Sequence, residues 1–162
     1  MIKNHSRFSV SWVLINEIAI GRAPRKKIHL EIIKEKNIKS ILSLCDIEEA
    51  NPPEEMKDMF ICKRLVLPDH RKGKEPSVSE LIKVLNILKE LRLKGSVYVH
   101  CVAAMERSPL ICLAWLMKEK NLSSSEALDY LMQVHPRTNP LSGQLAVLKD
   151  PIFENYLEGS LK

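Results

Sequence analysis

The stretch Val97-Tyr98-Val99-His100-Cys101-Val102-Ala103-Ala104-Met105-Glu106-Arg107-Ser108-Pro109-Leu110 decides how this chain is read. Its first three residues, β-branched and aromatic, predict a strand, and the apolar-rich run Leu110 to Lys120 predicts a helix. The segment between them leads into a helix N-terminus, where unpaired backbone N–H groups and the positive end of the helix dipole stabilise an anion. A cysteine held there is favoured as thiolate over thiol. Six residues on, Arg107 carries a planar fork of donors that matches two phosphate oxygens. Together these residues predict an anion cradle with a sulfur nucleophile at its floor. The plainer alternative is a buried, inert cysteine at the end of a core strand.

The Cys-to-Arg spacing is weak by itself, since Cys112 has Lys118 at the same separation. The preceding His100, the following Ser108, the strand before and the helix after raise its specificity. In this setting the chain resembles the cysteine-dependent phosphatases of the compact dual-specificity type, whose signature is His-Cys, five residues, Arg, then Ser or Thr. The resemblance implies an α/β fold, one domain over residues 1–162 with a central mixed sheet flanked by helices. It also implies hydrolysis of phosphotyrosine and phosphoserine or phosphothreonine esters in proteins through a phosphocysteine intermediate. The classical tyrosine-specific enzymes have a considerably longer domain.

The same resemblance assigns roles. Cys101 is the nucleophile, and Arg107 with the amides of Val102, Ala103, Ala104, Met105, Glu106 and Arg107 holds the phosphate oxygens. Ser108 donates a hydrogen bond to the sulfur, and His100 orients the loop rather than acting as a base. The leaving oxygen needs a proton, which in this family comes from an Asp on a loop a few dozen residues upstream. The strand-like run Ile61 to Leu67 ends in Pro68-Asp69-His70, which puts Asp69 32 residues before Cys101. The alternative for Asp69 is a plain turn residue, as Pro-Asp pairs often are.

Two positions depart from the family pattern. Ala104 stands three residues after the Cys, where the family usually has Gly. If that position takes positive φ, Ala costs about 1 kcal/mol, or roughly five- to tenfold in rate were it to fall wholly on the barrier. Glu106 puts an acid inside the cradle, which with the lack of a loop lysine argues against highly charged inositol phosphates. In the phosphatase-and-tensin type a strand-end Cys forms a disulfide with the nucleophile under oxidants. Cys45 has that position here; a buried small hydrophobe is the commoner role for a lone Cys. Cys62 and Cys112 read as core. Asn139, Pro140 and Gln144 resemble a segment that packs near the cradle, one residue short in spacing, and receive no site role. His5, His29, His70 and His135 match no motif and read as surface or packing residues, with tuning of the acid's loop as the alternative for His70 beside Asp69.

Composition bounds the rest. At 162 residues the chain suits one sizeable core. No apolar run reaches the roughly 18 residues of a membrane span, and Met1 to Arg7 lacks the apolar stretch of a signal peptide, which predicts a soluble cytoplasmic protein. Four cysteines without CxxC pairing argue against a zinc site or a disulfide scaffold. The reading expects no metal, no cofactor and no membrane association, with a phosphorylated protein as partner. Residues 1 to 30 hold Lys3, Arg7, Arg22, Arg25, Lys26 and Lys27 against Glu17, an excess of five that equals the net charge of +5. That is either a solvated surface or an anion-attracting flank, extended by Arg71, Lys72 and Lys74. Nucleic acid is not expected, with only three Phe, three Tyr and two Trp and no recognition motif.

A coarse pass predicts a strand over Trp12 to Ile20, a helix from Pro24 to Lys36, strands over Ile38 to Leu44 and Phe60 to Leu67, and a helical turn at Glu54 to Met59. Capping boxes at Ser77/Glu80 and Ser123/Glu126 start two helices, the second stopped by Pro136. The helix after the cradle is apolar on nearly every face and should be central. A last helix, about Ser142 to Lys149, precedes a short tail. Two function classes stay open: an active phosphatase, or a phosphate-binding pseudoenzyme supported by Ala104. A non-protein phosphate ester is a further possibility.

Overall fold

The computed structural model describes residues 7–159. Lys3, His5 and the rest of the first six residues, with the last three of the 1–162 domain, lie outside the described residues. A five-stranded mixed sheet runs in the order β1-β2-β5-β3-β4. Strands β1 (Val10–Leu14) and β2 (Ile18–Gly21) form an antiparallel hairpin, and β2, β5 (Val97–His100), β3 (Ser40–Ser43) and β4 (Ile61–Arg64) are parallel neighbours. The α/β fold expected from the sequence is the one present.

The predicted single strand over Trp12 to Ile20 is instead this hairpin. Asn16 turns the chain with φ 61°, a conformation Asn tolerates, and the Glu17 N–H donates to the Leu14 carbonyl at 2.9 Å. Apolar residues on both sides of the turn conceal it in a hydropathy reading. The helix expected from Pro24 begins later, as α1 (Lys27–Glu35): the backbone is still extended at Lys26, with φ −135° and ψ 155°, while the Ala23 N–H donates to the Val102 carbonyl at 3.1 Å. The expected tail is a helix, α7 (Pro151–Gly159). The Asp150 carboxylate accepts from the Ile152 N–H at 2.9 Å, Pro151 takes the first helical position, and Phe153 is fully buried.

Alternation along the strands builds two layers. Ile18, Ile20, Leu42, Val97 and Val99 face α3 (Val78–Arg92), α4 (Arg107–Lys120), α5 (Ser124–Val134) and α7. Ala19, Ile41 and Tyr98 face α1 and α2 (Met56–Met59). Both predicted capping boxes are present, each Ser hydroxyl accepting from the Glu N–H at 3.1 Å and each Glu carboxylate from the Ser N–H at 3.0 Å. Every residue of α4 from Arg107 to Met117 is buried, so this helix is the axis of the larger layer. The expected helix from Ser142 divides into α6 (Ser142–Ala146) and one 3₁₀ turn, Val147–Lys149.

The strand register aligns the C-terminal ends of the parallel strands. Gly21 pairs with His100, His100 with Ser43, and Ser43 with Arg64, so four parallel strands reach the same edge in one row. Their following loops therefore meet, and in open α/β sheets that edge is where ligands bind.

Candidate active site

The loop after β5 is held by its carbonyls. His100 Nδ1 donates to the Cys101 carbonyl at 2.8 Å, Ala23 N–H to Val102 at 3.1 Å, and Arg137 Nε to Ala103 at 3.3 Å. His135 Nε2 donates to Ala104 at 2.6 Å and Asn139 N–H to Met105 at 2.7 Å. Five consecutive carbonyls are thus turned outward. In a planar trans peptide the N–H lies opposite the C=O, so the amides of Val102 through Glu106 turn inward. Ala104 has φ 58°, in the left-handed region, which lets successive N–H groups converge as in an anion-binding nest.

Cys101 lies at the floor, 4% exposed, with its Sγ 3.3 Å from the Ser108 hydroxyl in the first turn of α4. A cleft of about 240 Å³ above it is lined by Asp69, His70, Arg71, Cys101, Val102, Ala103, Met105, Glu106 and Arg107. Seven of the sequence-predicted site residues therefore share one cavity. Ser108 and His100 lie beneath it, and Ala104 lines an adjoining cleft with Gly21, His135 and Arg137.

Arg107 opens α4 and is buried, and its guanidinium meets Glu49 in a two-pronged pair, Nη2 at 2.8 Å and Nη1 at 3.1 Å, with Nη1 also donating to the Leu67 carbonyl at 3.2 Å. These bonds hold the Glu49 carboxyl below its usual range. Glu49 lies 58 residues from Arg107 and matched no motif, so sequence reasoning missed it. The fork is aimed and electrostatically compensated before any anion arrives.

Asp69 caps the 3₁₀ turn His70–Lys72. Its carboxylate accepts from Arg71 through the backbone N–H and two guanidinium nitrogens, and this pairing lowers its pKa to about 2. His70 Nδ1 sits 2.5 Å from Glu106 Oε2, and Gln144 Nε2 reaches the same oxygen at 3.5 Å, so the acid inside the cradle is held by two donors. His70, His135, Arg137, Asn139 and Gln144, which the sequence left without a site role, all support the loop or its rim.

Behind the cradle His100 is fully enclosed. With Nδ1 donating to the Cys101 carbonyl, Nε2 accepts from the Ser43 hydroxyl at 2.7 Å, and burial lowers its pKa to about 4. It is neutral, with both ring nitrogens engaged at the base of the loop. Cys45, whose Sγ is 4.0 Å from His100 Nδ1, packs against Val102, and burial pushes its thiol up. Among the described residues no three His, Cys, Asp or Glu side chains are grouped to hold a metal ion, and no helix is long and apolar enough to cross a membrane.

The sequence profile of the family described as dual specificity phosphatase, catalytic domain, matches residues 20–150. A phosphatidylglycerophosphate phosphatase of Arabidopsis thaliana is 24% identical over 128 residues, 78% of this chain and 56% of that protein. Dual specificity protein phosphatase 1 of Mus musculus is 32% identical over 108 residues, 64% of this chain and 29% of that protein. The chain thus spans little more than half of the one relative and under a third of the other. The crystal structure of PTPMT1 in complex with PI(5)P shares the fold, with a TM-score of 0.79 at 21% identity over 94% of this chain and 99% of that one.

Proposed function

This chain belongs to the dual specificity phosphatase family, and from that premise we propose that it hydrolyses phosphate monoesters through a phosphocysteine intermediate. The observation that carries the reading is the loop of five outward carbonyls and inward amides around Cys101. Such a nest, with the Arg107 fork at its rim, supplies fixed positive charge for the equatorial oxygens of a transferring phosphoryl group. Cys101 as thiolate attacks phosphorus in line, the phosphorus–oxygen bond breaks, and a protonated Asp69 gives its proton to the departing oxygen. Water then attacks the phosphocysteine, Asp69 takes a proton from it, and the sulfur leaves as thiolate, aided by a hydrogen bond from Ser108. None of these steps calls for a metal or a cofactor.

The reading treats residues 1–162 as one catalytic domain. Its substrate, from the family resemblance, is a phosphoprotein carrying phosphotyrosine, phosphoserine or phosphothreonine. A second reading, a phosphorylated glycerolipid headgroup, is favoured by the longer reach of the phosphatidylglycerophosphate phosphatase match, 78% of the chain against 64%. Cysteines 45, 62, 101 and 112, all free, suit a reducing compartment such as the cytoplasm.

The test is turnover of an aryl phosphate with a metal chelator present. Turnover that survives the chelator, is blocked by vanadate and is lost in Cys101→Ser supports the mechanism. Full activity in that variant, or strict dependence on a divalent ion, overturns it. Phosphate binding without turnover of any ester establishes the pseudoenzyme instead. Parallel assays with phosphopeptides and with phosphatidylglycerophosphate in vesicles decide the substrate class.

A further inference from the structure

Beside the cleft over Cys101 lies another of about 320 Å³, lined by Phe8, Arg22, Ala23, Arg25, His29, Val102, Ala103 and Arg137. The two share Val102 and Ala103 as a common wall. The new cleft comes from the β2–α1 connection, which is clamped to the cradle at two points. Ala23 N–H donates to the Val102 carbonyl at 3.1 Å, and the Tyr98 hydroxyl to the Arg22 carbonyl at 2.6 Å. A Cβ at Gly21 would overlap that hydroxyl, so the tight approach of connection and strand depends on glycine there. Phe8 and His29, both in the lining of the cleft, stack on each other at 4.2 Å.

Charge makes this cleft unusual. Among the described residues three arginines line it, and no carboxylate does. Among the described residues neither Arg25 nor Arg137 is in an ion pair, in contrast to Arg107 and Arg71 across the wall, which hold Glu49 and Asp69. The basic excess of the first 30 residues thus has part of its location in the fold. Guanidinium groups gathered in one concavity repel each other, and a bound anion relieves that repulsion while accepting their hydrogen bonds. The geometry also limits where that anion can come from. Two residues of shared wall span roughly 7 Å, so a group in this cleft is a short linker away from phosphorus in the cradle.

We propose that this arginine-lined cleft is a second phosphate subsite, which selects substrates whose scissile phosphomonoester is joined through a short carbon linker to a phosphodiester, as in a phosphorylated glycerophospholipid headgroup. The proposal rests on the phosphatase reading and takes the second of its two substrate classes. The cradle takes the terminal monoester. Arg22, Arg25 and Arg137 take the diester, and the exposed Lys26 and Lys27 follow Arg25 in the chain. A singly phosphorylated residue in a protein leaves the cleft empty and gains nothing from it.

The experiment compares four substrates on the full chain: an aryl phosphate, glycerol 3-phosphate, a water-soluble short-chain phosphatidylglycerophosphate, and a doubly phosphorylated peptide. The expected result is a kcat/KM for the short-chain lipid at least about tenfold above that for glycerol 3-phosphate. Arg22→Ala and Arg25→Ala each remove most of that advantage through KM, change aryl phosphate turnover less than about twofold, and reduce the salt dependence of lipid hydrolysis. Equal losses on all substrates would show that the arginines only support the cradle and would overturn the subsite. Preference for the doubly phosphorylated peptide overturns the headgroup assignment. A binding arm keeps the two readings separable: Cys101→Ser is titrated with the short-chain lipid and with glycerol 3-phosphate. If no ester is turned over yet the lipid binds more tightly and loses that margin in the added Arg25→Ala change, the phosphatase reading fails and the subsite stands. Equal binding of both ligands removes the subsite whatever the turnover.

Discussion

Arg71 grips Asp69 at three points, with guanidinium Nε and Nη2 at 2.9 and 2.6 Å from Oδ2 and its backbone N–H 3.1 Å from Oδ1. The pair holds the carboxyl ionised, at about 2, although Asp69 faces the cleft that contains Cys101. A carboxylate suits the second step, in which a base takes a proton from water. The first step needs the acid, so Arg71 must leave Asp69 as the phosphate enters, and the phosphate is a natural new partner for it.

Replacing Arg71 by Ala therefore moves Asp69 back toward the ordinary carboxylate range. A proton donor is active below its pKa, so the descending limb of kcat/KM against pH shifts upward by roughly one to two units. The shift is expected on alkyl phosphates and is smaller on aryl esters with good leaving groups. Superimposable profiles for parent and variant would show that Arg71 does not govern the acid.

His100 links pH to stability. Its folded pKa of about 4 lies below the ordinary value near 6.5, so the unfolded chain binds the extra proton between those limits. Stability is fully present above pH 6.5 and is lost as pH falls toward 4, by on the order of 3 kcal/mol. Buried His135, also lowered, adds in the same direction. Thermal melting at pH 7.5 and pH 5 should show a large drop for the parent and a shallower one for His100→Gln. An identical drop in the variant would place the titration elsewhere.

Ala104 already has φ 58° with no substrate bound, and its carbonyl is pinned by His135. The strain is therefore present in resting enzyme and transition state alike and falls on folding rather than on the barrier. Ala104→Gly should raise stability by up to about 1 kcal/mol and change kcat by less than about threefold, not the tenfold that the sequence alone suggests. A denaturant titration and one kinetic comparison decide between the two.

Cys45 lies two residues beyond β3 and Cys101 one beyond β5, and the Leu44 N–H joins the two strands there by donating to the His100 carbonyl at 2.9 Å. Peroxide treatment followed by peptide mapping should give a Cys45–Cys101 bridge, with activity returning on reduction. Cys45→Ser should recover far less. If it recovers as fully as the parent, Cys45 is packing and nothing more.

Short-range chemistry was legible in the amino-acid sequence. The strand, cysteine loop and helix from Val97 to Lys120, the two Ser/Glu capping boxes and the all-round burial of α4 each depend on residues within a few positions of one another, where propensity and periodicity act directly. Asp69 was singled out through the family resemblance, which asks for an acid on a loop upstream of the cysteine, and the structure sets it in the same cleft as Cys101. The tertiary structure alone decided what those residues touch. Glu49 on Arg107 is 58 residues distant and His135 on Ala104 is 31, and the arginine cleft draws on residues from Phe8 to Arg137. No local pattern encodes such partners, because they meet only when the strand order β2-β5-β3-β4 brings four loops to one edge. The hairpin turn at Asn16 and the helix after Pro151 stayed hidden for the same reason: apolar runs state that a segment is buried, and only the packing of the core states in which direction it must turn.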